Sequence, residues 1–319
     1  MKKIIYIVQK IKDWHIEELK KIGTGYDFIC SWKEELPKDR LSDIEIILGG
    51  DGRLTNQILS LENHSLKWVQ VHSAGIDYLD LDELQRQDVL LSNARGLHGR
   101  PIAEHVMAVL LSDSRAIRES IQNQSSKKWD REVTYGSLED KKMLIFGTGH
   151  VGREIAKLAR VFGLRVNGVN RSGSQVQGFA DVVASEKVDK IMGEQDIIVN
   201  ILPATEKTFH FFDAEMFAKM KQDVTFINAG RGSTVDTTAL IDALKSRKIG
   251  FANLDVFEQE PLPRDDLLWS MENVLITPHI AGMVPHFRDK LTEIYAKNLT
   301  SYMKTGQIIE NKIDHEKGF

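Results

Sequence analysis

The chain has 319 residues, 42% hydrophobic and 28% charged, the usage of a folded protein with length for about two domains. Lys plus Arg number 42 against 46 Asp plus Glu, a net charge of −4, so there is no basic field to recruit nucleic acid. The single cysteine, Cys30, excludes an internal disulfide and fits a buried side chain in a reducing, cytoplasmic setting. After Met1-Lys2-Lys3 only the five apolar residues Ile4 to Val8 precede Gln9, too few for the roughly 7–15-residue core of a signal peptide. No apolar run approaches the roughly 18 residues of a membrane span, so no membrane association is expected.

Short β-type runs alternate with helical segments, the pattern of a parallel sheet covered by helices. Strands are predicted at Ile4–Gln9, Tyr26–Cys30, Ile44–Leu48, Leu66–His72 and Val89–Leu91, with helices near Trp14–Ile22, Asn56–Leu61 and Leu81–Arg86. Pro101–Leu111 reads as a strong helix with proline in its first turn, bridging into a second unit; His105 on it is most simply a core histidine. A polar, turn-rich stretch from Ser125 to Gly136 precedes further strands at Met143–Phe146, Arg165–Val169, Ile197–Ile201, Thr225–Asn228, Phe251–Leu254 and Val274–Thr277. In the last segment Phe287, Leu291, Ile294, Tyr295, Leu299 and Tyr302 recur at steps of one to four, the apolar face of a packed helix. The histidines have no metal-type spacing, and no metal is expected.

Gly147-Thr148-Gly149-His150-Val151-Gly152 follows a strand and opens a helix. The first glycine permits a tight turn, the second close approach of a pyrophosphate, and the third close packing of helix on strand, while the helix N-terminus offers free N–H groups. Methyltransferases share such loops, but the strand-to-helix position favours a dinucleotide site. An NAD site places Asp or Glu about 20 residues on; here Asn170-Arg171-Ser172 stands at that place. An Arg guanidinium pairs well with a 2′-phosphate, which favours NADP(H). The other reading is a solvated Arg171 above an NAD(H) site.

Three polar residues fall just past late strands, where open α/β sheets bind ligands: Arg231 in Asn228-Ala229-Gly230-Arg231-Gly232, Glu260 in Asp255-Val256-Phe257-Glu258-Gln259-Glu260-Pro261, and His279 after Thr277-Pro278. Together they suit reduction of a 2-oxo acid. Arg clamps the carboxylate and polarises the keto oxygen, His delivers a proton as hydride arrives, and a carboxylate supports that His.

At these residues the sequence resembles the D-isomer-specific 2-hydroxyacid dehydrogenase family, through Ser73-Ala74-Gly75-Ile76-Asp77, Ala103-Glu104-His105, Gly147 to Gly152, Leu202-Pro203-Ala204-Thr205, Asn228 to Gly232, Asp255 to Pro261 and Pro278-His279. The resemblance implies that Arg231 binds substrate, Glu260 supports the acid/base, and His279 is the acid/base. It further implies that the backbone around Ala74, Gly75 and Ile76 holds the substrate carboxylate, and that Leu202, Pro203, Ala229 and Asp255 line the nicotinamide side. Its architecture is a Rossmann-type doubly wound parallel sheet, residues 99–284, inserted into a flavodoxin-like substrate domain of residues 1–98 and 285–319. Family members are usually homodimers, and the Arg-Ser pair is similar to that of NADPH-dependent glyoxylate and hydroxypyruvate reductases. Where phosphoglycerate-specific members carry a basic residue this chain has Gly49-Gly50, and Val284 stands where Thr or Ser is common. The expected activity is reduction of a small 2-oxo acid to a D-2-hydroxy acid. The alternative from another class is an NAD(H)-responsive, corepressor-like regulator.

Overall fold

The computed structural model describes residues 2–73, 75–76 and 78–314. The chain divides into two compact units, Met1–Leu97 with Val284–Phe319, and His98–Met283; both junctions fall one residue before those expected from sequence. The first unit runs β1 (Ile4–Ile7), α1 (Asp13–Ile22), β2 (Asp27–Cys30), β3 (Ile44–Gly49), α2 (Gly52–Leu59), β4 (Trp68–Val71), α3 (Leu81–Arg86) and β5 (Leu90–Ser92). The second contains α4 (Gly99–Ser114), α5 (Ile117–Ser125), β6 (Lys142–Phe146), α6 (His150–Val161), β7 (Arg165–Asn170), β8 (Val182–Ala184), α7 (Asp189–Met192), β9 (Ile197–Asn200), α8 (Ala214–Lys219), β10 (Val224–Asn228), α9 (Thr237–Lys245), β11 (Ile249–Leu254) and β12 (Val274–Ile276). The last helix, α10 (Phe287–Thr305), belongs to the first unit.

In the first unit the strands are parallel in the order β2-β1-β3-β4-β5, the flavodoxin-like arrangement. Strands covered on both faces are apolar at consecutive positions. Ile4, Ile47 and Val69 face α2 and α3 through Ile58, Leu59 and Leu84, while Ile5, Ile46 and Trp68 face α1 and α10 through Ile16, Leu19, Leu291, Tyr295 and Leu299. The apolar stripe of α10 is therefore core, and Cys30 is buried with it.

The second unit has a parallel sheet in the order β12-β11-β10-β9-β6-β7-β8, the doubly wound Rossmann order with one added strand. One face buries Met143, Ile145 and Val199 under α4 and α6; the other buries Phe146, Ile198 and Phe226 under α8 and α9. Strand order reverses between β6 and β9, so the loops leaving these strands flank the switch point at which such sheets bind ligands. Among the described residues no helix is long and apolar enough to cross a membrane.

Candidate active site

The glycine loop leaves β6 with the geometry that its spacing requires. Gly147 has φ +111°, in the region that L side chains avoid. A Cβ on Gly152 would lie 2.0 Å from the Gly147 carbonyl oxygen, so the third glycine lets α6 begin directly against the turn. At Gly149 a Cβ would meet nothing within 4 Å, and no side chain caps α6 there. The open approach and uncapped helix N-terminus fit a dinucleotide pyrophosphate. Behind them His150 packs its ring close to Gly99 at the start of α4, where a Cβ would stand 2.6 Å from the imidazole, and Val151 packs on the core.

Past β7, Asn170 organises the Arg171–Ser174 loop. Its Oδ1 accepts from the N–H groups of Ser172 (3.2 Å) and Gly173 (2.7 Å), while its Nδ2 donates to Thr148 Oγ1 (3.1 Å) and the Ser174 carbonyl (2.9 Å). One carboxamide thus ties this loop to the glycine loop, and Arg171 and Ser172 stand exposed on it.

The loops after β9, β10 and β11 are latched together. Asn200 Nδ2 donates to Asn228 Oδ1 (3.0 Å) and Thr234 Oγ1 (2.7 Å), and Asn200 Oδ1 accepts from Leu202 N (3.0 Å). Thr234 Oγ1 in turn donates to the Arg231 carbonyl at 2.6 Å. Ala229 N bonds back to Asn200 O at 3.0 Å, and Thr208 Oγ1 holds the Pro203 carbonyl at 2.6 Å. Two glycines bracket Arg231. A Cβ on Gly230 would stand 2.8 Å from the Leu202 carbonyl, and one on Gly232 would stand 1.9 Å from the carbonyl carbon and oxygen of Phe257. The Arg231 backbone is therefore pressed between its two neighbouring loops, which explains glycine on both sides of it. Its Nη1 also donates to Gly230 O at 3.0 Å.

Glu260 and His279 meet: His279 Nδ1 lies 2.8 Å from Glu260 Oε2, and Glu260 Oε1 accepts from Phe257 N at 3.0 Å. His279 has φ +54°, a left-handed conformation uncommon for non-glycine residues, held by its N–H bond to the Asp255 carbonyl at 2.8 Å. Asp255 is 1% exposed. Its carboxylate accepts from Thr277 Oγ1 (2.6 Å), Ile280 N (3.0 Å) and Ala281 N (2.9 Å). This anchoring of the histidine loop has no counterpart in any local motif. His105 is partly buried, with Nε2 3.3 Å from Asn253 Oδ1 and 3.4 Å from Thr277 Oγ1, so it sits beneath the same loop.

In the first unit, Gly75 and Ile76 follow β4. Ser73 Oγ donates to the Gly75 carbonyl at 2.6 Å, and Ile76 is 6% exposed in the core; Ala74 lies outside the described residues. Gly49 and Gly50 have φ +112° and +57°, and a Cβ on them would stand 2.3 Å from Gln9 N and 2.7 Å from Val71 Cγ1 respectively. Positive φ and close packing thus account for glycine at both positions.

The family model described as "D-isomer specific 2-hydroxyacid dehydrogenase, NAD binding domain" matches residues 107–281. A glyoxylate/hydroxypyruvate reductase B of Escherichia fergusonii is 31% identical over 98% of each chain. Among solved structures, a phosphoglycerate dehydrogenase from Lactobacillus plantarum is 36% identical, with 98% of this chain and 100% of that one covered and a TM-score of 0.59. A D-isomer specific 2-hydroxyacid dehydrogenase family protein from Aeromonas salmonicida is 32% identical, with 99% and 100% covered and a TM-score of 0.82. A probable 2-hydroxyacid dehydrogenase from Rhizobium etli, solved with NADP, is 25% identical, with 100% of both chains covered and a TM-score of 0.80.

Proposed function

The chain belongs to the D-isomer specific 2-hydroxyacid dehydrogenase family, and from that premise we propose that Arg231, Glu260 and His279 carry out its reduction of a small 2-oxo acid to the D-2-hydroxy acid. It is an enzyme of the NAD(P)-dependent dehydrogenase class, working on a nicotinamide cofactor. The observation that carries the residue assignment is the 2.8 Å contact between His279 Nδ1 and Glu260 Oε2. With Nδ1 donating to the carboxylate, Nε2 is the atom that gives up a proton, and Glu260 balances the positive ring. The bound nicotinamide supplies the hydride. The Arg231 guanidinium pairs with the carboxylate of the oxo acid and polarises its keto oxygen, which takes the proton from His279 Nε2. Ala74, Gly75 and Ile76 are proposed as backbone donors to the substrate carboxylate.

For the cofactor we propose the glycine loop as pyrophosphate site, with Gly147, Gly149, His150, Val151 and Gly152, and the Asn170-Arg171-Ser172 turn as a 2′-phosphate site favouring NADP(H). The support is the exposed Arg171 on a loop that Asn170 has already folded. Leu202, Pro203, Ala229 and Asp255 are proposed on the nicotinamide side. Glyoxylate, hydroxypyruvate or a short aliphatic oxo acid is the proposed substrate. Gly49-Gly50 offers no cation to a phosphorylated one, so phosphohydroxypyruvate belongs in the same panel as a discriminating test. A homodimer is proposed on the resemblance to the family, with the exposed apolar side chains of Ile121 and Trp129, 62% and 92% exposed, as its support, and a cytoplasmic setting on the lone buried Cys30.

The test is a matrix of NADPH and NADH oxidation against these oxo acids, with two variants. H279A should lower turnover by about 10²–10⁴-fold, the usual worth of a positioned general acid; a near-parent rate removes the assignment. R171A should shift the NADPH-to-NADH ratio towards NADH, and an unchanged ratio removes the NADP(H) proposal.

A further inference from the structure

Glu258, two residues before Glu260, touches more of the site's framework than its surface position suggests. Its Oε1 lies 2.5 Å from His210 Nε2, on the loop that leaves β9 by way of Leu202 and Pro203. Its Oε2 accepts from the N–H of Thr237 at 3.0 Å and also from the Thr237 hydroxyl, at the first turn of α9. The Glu258 backbone rests on Gly232, whose Cβ, if present, would lie 2.5 Å from Glu258 N. One residue therefore joins the segments that follow β9, β10 and β11. His210 is itself fixed for this contact. It adopts φ +47°, stacks on Phe209 with centroids 4.0 Å apart, and donates its backbone N–H to Ser233 O at 2.9 Å.

We propose that Glu258 is a positioning residue for the reduction, its carboxylate clamping His210 and Thr237 so that the backbone carrying Glu260 is held where Glu260 meets His279. The chain of bonds is continuous from Thr237 and His210 to Glu258, then along the short loop to Phe257, whose N–H holds Glu260 Oε1, and from Glu260 Oε2 to His279. Burial pushes the Glu258 carboxyl up, but the hydrogen bonds from Thr237 and His210 together hold it below the usual carboxylate range, so the clamp is a charged acceptor at neutral pH. A charged acceptor forms the stronger hydrogen bonds. The inference rests on the catalytic reading of Glu260 and His279 given above.

The experiment compares E258A, H210F and H210Q with the parent and with H279A, measuring kcat, KM for the oxo acid, cofactor Kd by nicotinamide fluorescence, and thermal midpoint. Displacing a catalytic group by about an ångström costs on the order of 100-fold in rate, so E258A should lose about 10- to 100-fold in kcat. KM and cofactor Kd should stay within about twofold, the spread of an ordinary surface substitution. H210F keeps a ring to stack on Phe209 but loses the donor and should fall towards E258A; H210Q restores an N–H donor and should recover most of the rate. If E258A does not fold, the two His210 variants carry the test. A lowered midpoint with parental kcat per folded molecule would mean that Glu258 only caps α9, and overturns the proposal, as does a rise in KM or Kd with kcat unchanged. Parental activity in H279A would bring down the catalytic reading itself; an inactive H279A beside a fully active E258A brings down only the role of Glu258.

Discussion

Gly232→Ala is the sharpest test of how the site is held. The added Cβ would stand 1.9 Å from the carbonyl carbon and oxygen of Phe257 and 2.5 Å from Glu258 N, all backbone atoms that no side-chain rotation can move aside. Ordinary carbon contacts settle near 3.5–4 Å, so the Arg231 loop and the loop bearing Glu260 must separate by about 1.5–2 Å. Arg231 is the adjacent residue on one side of this contact, and Glu260 lies within the displaced loop on the other. Since a 1 Å misplacement costs on the order of 100-fold, kcat should fall at least about 100-fold. Overpacking should also cost about 1–3 kcal/mol of stability. Steady-state reduction kinetics on the purified variant, normalised to its folded fraction by circular dichroism, measure both. A folded G232A enzyme with kcat within about twofold of the parent, the spread of a neutral surface change, would refute the claim that backbone contact at Gly232 sets the distance between the two loops.

Gly149→Ala should act elsewhere. Its Cβ meets no protein atom within 4 Å, so thermal stability should hold while cofactor binding weakens by about 1–3 kcal/mol through crowding of the ligand, as read by nicotinamide fluorescence titration. Asp255→Asn puts an amide donor among three donors, leaving at least one buried group unsatisfied at about 1–3 kcal/mol; the thermal midpoint and kcat should both fall, and parental values for both would sink the anchoring role. His15 supplies a pH dependence in the first unit. It is 1% exposed, with Nε2 3.2 Å from Asp289 Oδ1, and burial outweighs the attraction of Asp289 to push its pKa below the usual histidine range. The unfolded chain then takes up this proton first, near pH ~6.5, so the contribution of His15 to stability is intact above that pH and is lost as pH falls towards the folded value. Urea midpoints between pH 7.5 and 5 should decline more steeply for the parent than for H15Q; parallel curves would contradict the linkage.

Much of the fold is legible because strands covered on both faces must be apolar at successive positions, as Ile46–Leu48 and Met143–Phe146 are. Part of what escapes is short or lacks a stripe. β8 and α7 have three and four residues, less than a pattern needs to declare its period, and α5 buries none of its residues. The helix α9 goes unpredicted although its signal is present. Asp236 accepts from Ala239 N at 3.0 Å as an N-cap, and Ala239, Leu240, Ala243 and Leu244 form the buried face. Strand order is another matter. Nothing local to β6 says that β9 will lie beside it, and only the likeness of whole-chain motifs suggests that order.

The site divides in the same way. Arg231, Glu260 and His279 can be picked out because each follows a strand in a Gly- or Pro-marked loop, and residue type then suggests the chemistry. Their framework cannot be read locally, because its bonds span distant stretches of chain. Asn200 meets Thr234, Asp255 meets Ala281, and Gly232 is glycine on account of Phe257.

The imidazole shows how far that framework reaches. A non-glycine residue held at φ +54° costs about 1–3 kcal/mol, and the neighbouring bonds must supply at least that much. Hydrogen bonds to a charged acceptor contribute about 1.5–3 kcal/mol each, and the Asp255 carboxylate takes two backbone N–H groups, from Ile280 and Ala281, directly after His279. These bonds suffice to keep the turn in its strained form, so the position of the ring is set from the backbone side. Glu260 acts on the other end, through Nδ1. Loss of Glu260 leaves the turn in place and removes the partner of the ring, whereas loss of the Asp255 charge releases the turn with the partner still present. Two carboxylates thus serve one histidine through different bonds, one fixing where the ring stands and the other meeting its Nδ1.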